Sequence, residues 1–130
     1  MADSPTKEGY GELGKLAAIE PATGFKSIAC VSACTADEDQ TYANCNRFTT
    51  LGLGIQDADT VETVTTTVAN DTVHINHMFT SSGTATVKGF VVCNDDDDVV
   101  LAISCFAADR DMEIGDTLEC DMTGQFKKGT

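Results

Sequence analysis

A cluster of carboxylates is the sharpest chemical feature of this 130-residue chain: Asn94 is followed directly by Asp95, Asp96, Asp97 and Asp98. Acidic side chains gathered on a flexible turn can hold Ca²⁺, which takes its ligands from oxygen. The run lacks the alternate-residue ligands and the distant Glu of a calcium-loop motif. Asn and Asp are also ordinary hairpin-tip residues, where their charge keeps apolar strands from sticking to other chains. The tip reads first as a turn, with Asp95, Asp96, Asp97 and Asp98 as a weaker metal candidate.

Other reactive groups are sparser. His74 and His77 stand an odd number of residues apart, so on a strand they point to opposite faces and cannot share a metal. His77 shares its face with Val73 and Ile75, as a core or interface histidine would. Cys30 and Cys34 are one residue too far apart for a Cys-x-x-Cys zinc pair, and no second pair follows. No Gly-x-Ser-x-Gly elbow, dinucleotide fingerprint or phosphate loop occurs. Asp109, Asp111, Glu113 and Asp116 crowd the stretch before the last strand and read as a solvated loop. No catalytic residue and no cofactor is expected.

Six cysteines form an even set, which suits disulfides. Cys105 and Cys120 lie within apolar strands and read as small buried hydrophobes. Cys30, Cys34 and Cys45 fall in the less regular first half and are the candidates for pairing.

These groups must be positioned by a β framework. Five runs rich in Thr and apolar residues, 60–68, 72–80, 84–93, 99–106 and 117–126, are separated by breaks of Gly, Asn, Asp and Ser. β-Branched strands at that spacing predict an antiparallel sandwich or barrel. Val73, Ile75, His77 and Phe79 alternate onto one face, as do Leu118, Cys120, Met122 and Phe126. Residues 99–106 lack alternation and are expected at the centre of a sheet, buried on both sides. In the first half, 25–33 reads as a strand and 35–46 as a surface loop. Residues 47–55 read as a weak strand, in which Gly52 and Gly54 mark a bulge or close backbone approach. Residues 1–9 look like an extended arm. Residues 10–19 form the one plausible helix, weakened by Gly11 and Gly14 and ended by Pro21. The expected organisation is an arm and short helix over 1–20 and a jelly-roll or Ig-like β-sandwich over 21–130.

Bulk properties narrow the partners. The net charge of −13 argues against nucleic acid or an anionic membrane surface as a direct partner. No run approaches the roughly 20 apolar residues of a membrane helix. Residues 1–8 are polar and unlike a secretory signal, so synthesis in the cytoplasm is expected. Lys127 and Lys128 give the chain a basic end that could meet an acidic partner or the acidic loops of a neighbouring copy.

The order of segments carries a resemblance. Residues 61–72, then His77-Met78-Phe79-Thr80 and Gly83-Thr84-Ala85-Thr86-Val87, resemble a group of small virion proteins of tailed bacteriophages. Residues 89–94, 101–106 and Gly115-Asp116-Thr117-Leu118 agree with it, so that it covers about 25–128. The six cysteines and Asp95 to Asp98 depart from its pattern. The resemblance implies a β-sandwich that assembles on the capsid or in the tail, with no catalytic residue. A single domain with a short arm suits a capsid decoration or cement protein better than a fibre. Tyr10, Leu13, Leu16 and Ile19, with Lys127 and Lys128, are then the expected assembly residues. The major capsid protein, other virion proteins and further copies in a homo-oligomer are the expected partners. The expected location is the virion, after assembly in the host cytoplasm. Two alternatives stand beside this: a tail, neck or fibre component, and a soluble Ca²⁺-dependent binding β-sandwich.

Overall fold

A computed structural model describes residues 2–18, 24–94, 96 and 98–126. In chain order these form β1 (Ala2–Pro5), α1 (Lys7–Ala17), β2 (Ser27–Val31), β3 (Gln56–Asp57), β4 (Thr60–Val64), β5 (Thr72–Thr80), β6 (Ala85–Asn94), β7 (Val99–Met112) and β8 (Thr117–Gln125). Two antiparallel sheets result, one ordered β1-β7-β6-β2-β3 and the other β4-β5-β8. The chain is the all-β sandwich that its Thr- and Val-rich runs predict.

Alternation decides which side chains meet between the sheets. Ile75 and Phe79 of β5 and Cys120 of β8 pack against Ile28 and Cys30 of β2, with Phe90 and Val92 of β6. A second cluster lies on the far side of the larger sheet, where Ala29, Val31, Val91, Cys93, Val100 and Ile103 pack with Cys45 from the loop after β2. With apolar neighbours on both faces, all five residues of β2 are buried. Burying each larger side chain of this kind contributes about 1.5–3 kcal/mol.

The chain changes sheet at short connections that bond to one another. The Ser81 amide donates to the Asp116 carbonyl and the Gly115 amide to the Ser81 carbonyl, both at 2.8 Å. This pins the β5–β6 crossover to the β7–β8 crossover.

Several boundaries depart from the sequence reading. The run 60–68 is a strand only to Val64, because the Asp71 carboxylate accepts the amides of Thr66, Thr67 and Val68 and folds them into a loop. Those bonds, from Val68 and Thr66 foremost, hold the Asp71 carboxyl well below its usual range. β7 runs on past Phe106 to Met112, where it pairs with the start of β6, so Asp109 and Asp111 stand on a strand rather than in a loop. Residues 47–55 form no strand beyond one bridge from Arg47 to Val31. They bond singly to β2 instead: Phe48 donates to the Cys30 carbonyl, and the Cys30 amide to the Leu53 carbonyl. Gly52 does mark a close approach, since a side chain there would begin 2.7 Å from the Thr80 carbonyl oxygen.

The helix forms three residues earlier than its apolar stripe suggests. Thr6 caps it, accepting the Gly9 amide at 3.0 Å, and Glu8 and Lys15 suit the two ends of the helix dipole. The N-terminal arm is extended, and it serves as the edge strand β1 against β7. The Thr6 hydroxyl donates to the Val100 carbonyl, and Glu8 Oε2 accepts the amides of Val100 and Tyr42 at 3.0 Å. Arm and helix are thus fastened to the sandwich itself.

Candidate functional site

Because three strands face five, the sandwich is left open at one mouth. An apolar groove of about 360 Å³ lies there, between α1 and β1 on one side and β5 and β8 on the other. Tyr10 and Leu13 come from the helix, Phe25 from the approach to β2, Ile75 from β5, and Met122 and Phe126 from β8 or just beyond it. Tyr10 is 57% exposed and Phe126 58%, so two aromatic rings sit at the rim with much of their surface wet. Amphipathic aromatic surface of this kind is what protein interfaces use as anchors.

The groove gathers two of the expected assembly residues, Tyr10 and Leu13. Leu16 is partly exposed on the same helix but does not line the groove. Ile19, Lys127 and Lys128 lie outside the described residues. Phe126 belongs to the site, although its place in the alternation of 118–126 predicts an inward-facing side chain. It stands just past the end of β8, where its amide donates to the Asp71 carbonyl and its ring is left 58% exposed.

At the acidic tip, Asp95 and Asp97 also lie outside the described residues. Asp96 pairs with Lys26 Nζ at 2.7 Å, and its amide donates to Asn94 Oδ1 at 3.1 Å. Asn94 turns inward and donates to Glu12 Oε2 at 2.7 Å. Asp98 takes a left-handed backbone conformation, with φ 53°. This is turn chemistry, and among the described residues no group of His, Cys, Asp and Glu is placed to hold a metal.

The two histidines point to opposite faces of β5, as their spacing requires. His74 faces outward between carboxylates on both neighbouring strands, with Nδ1 3.0 Å from Glu62 Oε1 and Nε2 3.0 Å from Asp121 Oδ1. These partners, Glu62 first, raise its pKa above the ordinary 6.5. His77 is buried, with Nε2 2.7 Å from Gln56 Oε1 and its ring edge-on to Phe79. Its Nδ1 lies 3.1 Å from Asp59 Oδ1 without the alignment of a hydrogen bond. The Met78 amide, more than His77, holds the Asp59 carboxyl below its usual range. His74 is thus occupied by the two strands beside β5, and His77 by Gln56 of β3 in the larger sheet.

Of the three cysteines expected to pair, only Cys34 does, and its partner is Cys105. Cys30 and Cys45 carry buried thiols instead. Cys105 has the sequence pattern of a buried hydrophobe, but it packs with Cys34 against the cluster on the far side of the larger sheet. Gly89 makes the bond possible. A side chain on it would start 2.2 Å from the Ser104 carbonyl oxygen and 2.7 Å from Cys34 Sγ, so its absence lets Cys34 reach past β6 to β7.

The described cations are all engaged. Lys7 meets Asp39 at 2.6 Å and Lys88 meets Asp109 at 3.7 Å, while Lys15 approaches Glu12 at 4.0 Å. The Arg47 guanidinium stacks 3.7 Å over the Tyr42 ring, and that of Arg110 lies 5.6 Å from the Phe106 ring centroid. Most of the described carboxylates are at least partly exposed, with Glu12 the buried one. Comparisons of the chain with protein-family models, with curated proteins and with solved structures give no match.

Proposed function

We propose that this protein is a non-enzymatic virion subunit, a capsid decoration protein that seats its apolar groove on the shell or on a neighbouring copy. The observation that carries the reading is the groove itself, an opening between the sheets with Tyr10 and Phe126 exposed at its rim. The fastened arm supports a particular form of it. β1 and α1 are held on the sandwich, so they shape the docking face rather than reach out to clasp a partner. The resemblance to small phage virion proteins supplies the setting, and the acidic surface favours a partner with basic residues around an apolar patch.

Quantitative mass spectrometry of purified particles tests the proposal by counting this chain against the major shell protein. The expected result is one copy per shell subunit or a simple fraction of it. A few copies to a few dozen per particle would move the protein to the neck, tail or fibre. Absence from particles would end the virion reading.

A further inference from the structure

Four of the six cysteines stand outside the disulfide, and two of these meet. Cys30 lies on β2 in the larger sheet and Cys120 on β8 in the smaller one. Both are fully buried and both belong to the cluster between the sheets, where Cys30 is the neighbour that bears most on the Cys120 thiol. Paired strands hold each in place, with Cys30 opposite Phe90 on β6 and Cys120 opposite His77 on β5. Cys45 and Cys93 lie in the other cluster, across the larger sheet, and do not compete.

We infer that Cys30 and Cys120 are a second cross-linking site, which closes to an inter-sheet disulfide when the chain folds in the presence of a small-molecule disulfide. One cysteine thiolate attacks a sulfur of the oxidant and releases one small thiol, leaving a mixed disulfide. The other cysteine attacks that mixed disulfide and releases the second small thiol. Two S–H bonds are lost and one S–S bond forms, and the oxidant's own S–S bond is reduced to two thiols.

Timing follows from burial. Exchange needs both a thiolate and access. In the folded protein neither thiol is exposed, and the adjoining Cys30 side chain together with burial pushes the Cys120 thiol far above its usual range. The bond therefore closes before the sheets shut, and a chain folded under reducing conditions keeps both thiols. Cys34 and Cys105 are only half-buried and remain open to the medium after folding. The structural consequence falls on β8, an edge strand paired with β5 alone, which the new bond would tie to the larger sheet.

The test uses the full chain, unfolded with reductant and refolded by two routes. One sample refolds in a mixture of reduced and oxidised glutathione. The other refolds under reductant and meets the same mixture only once folded. Intact mass and disulfide mapping should give both Cys34–Cys105 and Cys30–Cys120 by the first route, and Cys34–Cys105 alone by the second. Free Cys30 and Cys120 after the first route, or either one mapped to a different cysteine, would overturn the site. Closure of Cys30–Cys120 by the second route as readily as by the first would overturn the folding-time requirement. Cys120→Ala should leave Cys30 as a thiol by both routes, and the mapping of the unmodified chain stands even if that variant does not fold. The inference is independent of the virion reading, because purified protein suffices.

Discussion

Two residues show how much a single side chain decides here. Gly89 leaves a gap over which the Cys34–Cys105 bond lies, with the Ser104 carbonyl on its other flank. Gly89→Ala forces backbone or disulfide to move, an overpacking effect of roughly 1–3 kcal/mol. Urea unfolding should show the loss, and an unchanged midpoint would mean that β6 and β7 shift freely. His74 acts through charge. Its folded pKa is raised by Glu62 and Asp121, so its contribution is complete below the ordinary 6.5 and is lost as pH rises through the higher folded value. Stability should therefore fall as pH climbs above 6.5, and His74→Gln should flatten that part of the curve. An equally steep decline in the variant would assign the pH dependence to other groups.

At the scale of elements, the helix and the disulfide are held by long-range contacts. Thr6 both caps α1 and donates to the Val100 carbonyl, so Thr6→Ala removes a cap and a tether together. Loss of such a cap costs about 0.5–2 kcal/mol. Hydrogen exchange should quicken across α1 and spare β5. Uniform quickening would show that the helix does not open by itself. The Cys34–Cys105 bond joins residues 71 apart in sequence, from the loop after β2 through the β5–β6 crossover to β7. Reducing it should lower stability by on the order of 2–4 kcal/mol, measured as the shift in denaturant midpoint with and without reductant. No shift would mean that the strand pairing alone keeps the loop closed.

The whole molecule combines an acidic surface with one apolar opening. If the opening is the docking face, Tyr10→Ala together with Phe126→Ala should leave the fold intact and lower occupancy on particles. Circular dichroism and copy counting read those two quantities separately. A folded variant that still binds at full occupancy would move the interface away from the groove.

Much of the architecture is legible in the sequence. β5 matches its predicted span residue for residue, since alternation and turn residues bound it at both ends. The fold class follows from the same cause, because the period of two and the β-branched composition are local properties of the backbone. Elsewhere long-range bonds override the local pattern. One carboxylate, Asp71, shortens β4, and pairing with β6 carries β7 through charged residues that resemble a loop. The pairing of Cys34 with Cys105, the meeting of Cys30 with Cys120 and the groove at Tyr10 and Phe126 all depend on which strands become neighbours. Composition and spacing determined that this chain makes two-faced strands. Only the tertiary structure decided which faces meet and which are left open, because strand order and sheet crossing are set by the sum of contacts across the whole chain.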